Sequence, residues 1–217
     1  MIKAYLSYNN IISSLGFNSE SVVKNIHNEV SGLQLIKDNK ALPEPFYSAL
    51  IDSEALEKAF LKLQPKTDYT RLEKMMITSL NEVLQSSKIK LNDRVGLIVS
   101  TTKGNIDALD KNNPFPKERA YLSELGKNIQ EFFKFENEAI VVSNACVSGI
   151  LSVAIAKRYI QQNTYDHVFI VSGDVVTEFI LSGFNSFQAL SQQPCKPYDK
   201  NRTGINIGEV AASVLVT

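Results

Sequence analysis

No apolar stretch in this sequence approaches the roughly 20 residues that a membrane-spanning helix needs. The opening residues, Met1-Ile2-Lys3-Ala4-Tyr5-Leu6, lack the long apolar core and small-residue cleavage site of a secretory leader. A cytoplasmic protein with no membrane partner is expected. Cysteine is scarce: Cys146 and Cys195 are the only two, too few for a disulfide framework and without metal-ligand spacing. No metal or bound cofactor is therefore expected, and each thiol has to be judged by its own surroundings. Histidine is equally scarce, so chemistry that needs an imidazole can draw only on His27 and His167. An excess of either charge is also missing: 23 basic and 23 acidic side chains give a formal net charge of +0, so nothing in the balance would draw the chain to nucleic acid.

What is present suits an ordinary globular protein. Over 217 residues, 44% hydrophobic and 21% charged side chains exclude disorder and allow one large domain or a small pair. The periodicity predicts a first strand at Ile2–Ser7, then a stretch to about residue 65 that mixes helical spacing with loop signals such as Leu42-Pro43-Glu44-Pro45. A helix is predicted over Arg71–Gln85, a buried strand over Arg94–Ser100, a loop over Asn105–Pro116 and a helix over Lys117–Lys134. Strand Ala139–Val142, helix Val147–Gln161 and strands Val168–Ser172 and Ala211–Val216 complete the pattern. Strands apolar on both faces, alternating with helices, argue for an α/β fold with a mostly parallel sheet covered on both sides. The chain ends at Thr217, directly on the final apolar strand.

Cys146 lies between the third of these strands and a helix that reads Val-Ser-Gly-Ile-Leu-Ser-Val-Ala-Ile-Ala before its first charge at Lys157. A helix apolar nearly all round is buried on all sides, and one sheet covers only one of them. A further layer, from this chain or a partner, is expected on the other. A thiol at a helix start meets unpaired N–H groups and the positive dipole end, which favour the thiolate and can stabilise an oxyanion. The small neighbours Ala145, Ser148 and Gly149 leave room for a substrate. The same local pattern also describes a buried, inert cysteine.

Three segments read together add a resemblance. Ser143-Asn144-Ala145-Cys146-Val147-Ser148-Gly149 is similar to the nucleophile turn of the elongating β-ketoacyl-acyl-carrier-protein synthases. Gly183-Phe184-Asn185-Ser186-Phe187-Gln188-Ala189-Leu190-Ser191 resembles that family's phenylalanine segment with its Ala-Leu-Ser ending. Pro197-Tyr198-Asp199-Lys200-Asn201-Arg202-Thr203-Gly204 resembles its Pro-Phe-Asp-x-x-Arg-x-Gly segment. The match covers Val95 to Thr217; the segment of about 8–66 fits poorly, and Val210 stands where the family often has glycine.

The resemblance implies a thiolase-like half-domain: a mixed, mostly parallel five-stranded sheet with helices on both faces, spanning 1–217 as the amino-terminal half of a synthase. It implies an acyltransferase of fatty-acid or polyketide and polyene biosynthesis. Cys146 would take an acyl chain from the phosphopantetheine of acyl carrier protein, its own N–H serving as one of two oxyanion donors. Malonyl carrier protein would then lose carbon dioxide and the carbanion would attack the thioester. Phe184 would lie beside the malonyl pocket. The family's two histidines, a lysine and the second oxyanion donor lie in a carboxy-terminal half to which nothing here corresponds. Acyl carrier protein and a second synthase subunit, in a homodimer or heterodimer, are the implied partners. A non-catalytic or chain-length-determining subunit is the alternative, although such subunits often lack the cysteine.

The remaining candidates carry structural readings. A helix of about 15 residues at about 1.5 Å each puts His167 roughly 22 Å from Cys146, at the wrong end of the sheet. His27 reads as a surface or packing residue, and Cys195, between two prolines, as a loop thiol. Asp199, Arg202 and Glu209 are expected to hold their loop together by ion pairing, and Lys157-Arg158 to complement the carboxyl end of their helix. Thr101-Thr102-Lys103-Gly104-Asn105 follows a strand but lacks the glycine spacing of a phosphate loop.

Overall fold

Four apolar segments and a less regular amino-terminal one line up as a single sheet in the computed structural model, which describes residues 2–37 and 42–217. In chain order the elements are β1 (Leu6–Ser13), α1 (Ser19–His27), β2 (Gln34–Ile36), β3 (Phe46–Ala49), α2 (Ser53–Leu61) and α3 (Arg71–Ser87). They continue with β4 (Val95–Ser100), α4 (Leu122–Phe133), β5 (Ile140–Val142), α5 (Ser148–Gln161), β6 (His167–Asp174), α6 (Glu178–Ser186), β7 (Ile207–Gly208) and β8 (Val210–Val216). Between β4 and α4 the chain makes two short 3₁₀ turns, Ile106–Leu109 and Lys117–Ala120.

The sheet order is β1-β8-β6-β4-β5. β4 pairs in parallel with β5 and β6, whereas β8 runs antiparallel to β6 and β1, so four strands point one way and β8 the other. Side chains alternate across the pleat: Phe169 and Val171 of β6 join the core under α3 and α4, while Val168 and Ile170 join the one under α5. Burial of β4 on both faces follows directly from helices on both sides.

α3 carries the larger core. Leu72, Met75, Met76, Ser79, Leu80 and Val83, three or four residues apart, are buried on one face. Its start is fixed by a capping box in which the Thr70 hydroxyl accepts from the Glu73 N–H and the Glu73 carboxylate accepts from the Thr70 N–H.

The structure departs from the sequence reading in four places. The first strand is Leu6–Ser13, not Ile2–Ser7: an edge strand with a bulge between Ser7 and Asn9, whose polar Ser7-Tyr8-Asn9-Asn10 run lacks the two-residue apolar period. The helix expected over Lys117–Lys134 is interrupted at Tyr121, whose extended backbone (φ −67, ψ 132) separates the second 3₁₀ turn from α4. Residues 178–186, for which the sequence pattern predicts no element, form a helix. A second, three-stranded sheet, β2-β3-β7, joins the amino-terminal stretch to the segment before β8; strands of two to four residues leave too little pattern to read.

Candidate active site

β5 ends at Val142 and α5 begins at Ser148, so Cys146 sits in the turn between them, at the edge of the sheet where the parallel strands finish. Two features shape the turn. Ala145 has φ of +46°, a left-handed conformation that costs an L-residue about 1–2 kcal/mol. The Ser148 hydroxyl compensates by accepting the Asn144 N–H at 2.8 Å and donating to the Ala145 carbonyl at 2.7 Å. Cys146 is exposed, and its N–H has no hydrogen-bond partner among the described residues. Of the neighbours expected to leave room for a substrate, Ser148 instead lies buried beneath the turn as its clamp.

The apolar helix that follows is covered on one side only. Ser148, Ser152, Ala156 and Ile160 face the sheet, while Val147, Ile150 and Ala154 are exposed, Ile150 to 70%. The expectation of burial on every side therefore fails for the chain alone, because the sheet supplies a single contact face.

The strand ends next to the turn are joined by side chains. One oxygen of Asp174, the last residue of β6, accepts from the Thr101 hydroxyl (2.9 Å), the Thr102 N–H (2.9 Å) and the Thr102 hydroxyl (2.8 Å). Ser143, the first residue after β5, donates to the Thr102 carbonyl at 3.2 Å. The loop beyond is anchored to Glu73, whose fully buried carboxylate accepts from Asn105, Arg119 and Asn128 as well as from Thr70. Thr101–Asn105 is thus a brace between strands. The Thr70-x-x-Glu73 spacing was a legible signal for one of these contacts; nothing local marks Asp174.

Phe184 lies in the last turn of α6, half-buried, on the helix that follows the end of β6 and hence at the same end of the sheet as Cys146. His167 starts β6, at the opposite edge, and its Nδ1 is 2.7 Å from the Thr217 hydroxyl. His27 closes α1 in an exposed position. The Cys195 N–H donates to Asn206 Oδ1 at 2.7 Å, so this thiol belongs to a braced loop. The expected ion pairing of Asp199, Arg202 and Glu209 is not formed among themselves. Arg202 donates to the Asp199 backbone carbonyl, and Glu209, buried, pairs with Arg71 on α3, whose guanidinium pKa is raised chiefly by that hydrogen bond. No group of three or more His, Cys, Asp or Glu able to hold a metal occurs among the described residues, and no helix is long and apolar enough to cross a membrane.

Asp107, in the first 3₁₀ turn, has its pKa pushed up, mainly by burial and further by Asp110 and Glu73; its own N–H and Asn113 oppose the shift. A raised carboxyl pKa means that the folded state binds the proton more tightly than the unfolded state. Stability is then lost as pH rises from the usual carboxylate range through the raised value, and an ionised Asp107 is a cost at neutral pH. Asp107→Asn is expected to raise the thermal midpoint at neutral pH, with the gain shrinking as the pH falls through the raised value to the usual carboxylate pKa. A difference from the parent that stays constant across that range would show that Asp107 does not titrate as described.

A five-stranded mixed sheet with helices on both faces, and a thiol on the turn between an edge parallel strand and the helix that follows it, make a thiolase-like α/β fold. The family model for the beta-ketoacyl synthase N-terminal domain matches residues 12–217, and the chain belongs to the β-ketoacyl synthase family. It is 23% identical over 202 residues to the 3-oxoacyl-[acyl-carrier-protein] synthase 2 of Coxiella burnetii, covering 82% of this chain and 48% of that protein. It spans about half the length of the curated relatives it matches. The fold aligns with a chain of the Xenorhabdus doucetiae complex of a ketosynthase (ApeO) with its chain length factor (ApeC) (TM-score 0.81, 18% identity, 99% of this chain and 57% of that one). It aligns likewise with the ishigamide ketosynthase/chain length factor (TM-score 0.83, 21% identity, 98% and 57%).

Proposed function

We propose that Cys146 is the acyl-accepting thiol of a condensing enzyme, and that this chain supplies the amino-terminal half of its active centre. The observation that carries the reading is the exposed thiol on a clamped strand-to-helix turn, beside an N–H that has no other acceptor. The Cys146 thiolate attacks the carbonyl carbon of an acyl thioester on the phosphopantetheine arm of acyl carrier protein. The Cys146 N–H receives the oxyanion, and the pantetheine thiol leaves with a proton as the acyl-cysteine forms. Phe184 stands beside the path by which malonyl carrier protein then enters.

The second stage, loss of carbon dioxide and attack of the carbanion on the acyl-cysteine, needs donors for the developing enolate. His167 is at the far edge of the sheet and His27 is at the exposed end of α1. Condensation is therefore assigned to donors in a carboxy-terminal half of the same family architecture. The bare face of Val147, Ile150 and Ala154 is where that half would pack, which accords with a chain that spans about half of its relatives. Carrier protein and a second synthase subunit are the partners in this reading. The alternative, a partner subunit without chemistry of its own, leaves the built Cys146 turn without a purpose.

Cerulenin, a thiol-reactive mimic of the acyl intermediate, should label Cys146 but not Cys195, and Cys146→Ala should lose all labelling. An unlabelled Cys146 would refute the acyl-acceptor assignment. Incubated with an acyl primer and radiolabelled malonyl carrier protein, the chain alone should give no elongated product; turnover would disprove the divided active centre.

A further inference from the structure

We propose that Asp174 is a positioning residue for the Cys146 turn, acting through Thr102 and Ser143. The proposal rests on the reading of Cys146 as the reactive thiol.

The sheet pairing ends at one rung. Ser100 is paired with Val142 on one side and Ser172 on the other, and beyond it β4 has no ladder on either side, whereas β6 stays paired to β8 through Asp174. Thr101 and Thr102 lie immediately past that rung and are tied in both directions. Towards β6, the Asp174 carboxylate takes both threonine hydroxyls and the Thr102 N–H on a single oxygen. Towards β5, the Thr101 N–H donates to the Val142 carbonyl at 3.2 Å, and the Thr102 carbonyl accepts the Ser143 hydroxyl. The Thr101 hydroxyl also accepts the Gly104 N–H at 3.0 Å, which closes the turn on itself.

The residues from Asn144 to Val147 belong to no strand of the sheet, Asn144 and Cys146 bridging only each other, and one of them is the left-handed Ala145. They are pinned at the far end by Ser148 and at the near end by Ser143. The near pin is only as firm as the Thr102 carbonyl, and Thr102 is oriented by Asp174. Alanine in place of Asp174 would accept none of these donors, whereas asparagine keeps one accepting oxygen for them. Ser100 and Ser172, bonded to each other at 2.6 Å directly below, leave Thr101 and Thr102 no alternative acceptor in the described contacts.

The test is the alkylation rate of Cys146 by iodoacetamide in the full chain, followed by mass spectrometry across a pH series, with Cys195 in the same molecule as the internal reference. Asp174→Ala should slow Cys146 by about fivefold at every pH, the factor that corresponds to loss of the one hydrogen bond, Ser143 to Thr102, through which Asp174 reaches the turn, and leave Cys195 unchanged. Asp174→Asn keeps the accepting oxygen in place and should restore the rate to within about twofold of the parent. Ser143→Ala should slow Cys146 like Asp174→Ala, and the double variant should be no slower than either single one, because the two residues act in series.

Equal behaviour of the alanine and asparagine variants, or faster alkylation in both, would overturn the proposal in favour of a direct effect of the Asp174 charge. An unchanged rate in Ser143→Ala would overturn it even if Asp174→Ala does not fold. A parent Cys146 no more reactive than Cys195 would instead count against the acyl-acceptor reading itself.

Discussion

Replacing Arg119 by alanine is expected to remove about 3–5 kcal/mol of folding stability, because it leaves the Glu73 carboxylate buried without its counter-charge. Glu73 is 0% exposed, and Arg119 meets it with two nitrogens, Nε at 2.9 Å and Nη2 at 2.8 Å. The Asn105 and Asn128 side chains donate to the same carboxylate at 3.1 Å, but neutral amides cannot offset a full charge. The loss is a large fraction of the roughly 5–15 kcal/mol by which a domain is stable. Urea unfolding followed by circular dichroism would measure it, and a loss below about 1 kcal/mol would place the pair among weak surface ion pairs. Adding Glu73→Gln to Arg119→Ala should recover much of the loss, since the amide leaves no stranded charge and keeps an acceptor oxygen for Thr70, Asn105 and Asn128.

Ile150→Glu is expected to have opposite consequences in two contexts. In this chain Ile150 is 70% exposed on the outer face of α5, so the charge meets water and the thermal midpoint should hardly move. The isolated chain should also bind less apolar dye and self-associate less, because Ile150 and Val147 form an exposed apolar patch beside the Cys146 turn. In a longer chain whose carboxy-terminal half packs on that face, the same glutamate would be buried without a partner, and condensing activity should be lost with the docking. Full activity of such a chain with Glu at 150 would show that the face stays open to solvent. Unchanged dye binding by the isolated variant would show that the patch is not where Ile150 and Val147 lie.

The legible parts of the fold were those whose burial is uniform along a segment. β4 and the centre of β6 read as strands because helices cover both faces, and α3 because a single stripe faces the sheet. β1 was misplaced for the converse reason: an edge strand with a bulge satisfies its backbone without an apolar period. β2, β3 and β7 are held by pairing partners far apart in sequence, Ser48 with Ile207 among them, and such pairing leaves little local trace. At the proposed site, Cys146 and Phe184 were singled out through family resemblance, whereas the hydrogen bonds of Ser148 and Asp174 left no mark in the sequence. Their roles depend on which distant backbone groups lack a partner. The same limit explains Glu209: its neighbour Arg202 suggested a local pair, but burial against α3 gave it Arg71.

The order of chemical types along the chain determined that this is an α/β protein, that a cysteine stands between an apolar strand and an apolar helix, and that neither histidine has a motif around it. These are properties of local pattern and composition. Tertiary structure alone decided that the thiol is exposed, that Asp174 and Ser143 meet through the Thr101-Thr102 turn, and that α5 keeps one apolar face bare. The reason is physical: a side chain's periodicity reports which face it prefers to bury, but exposure and hydrogen bonding depend on what the rest of the chain brings to that face.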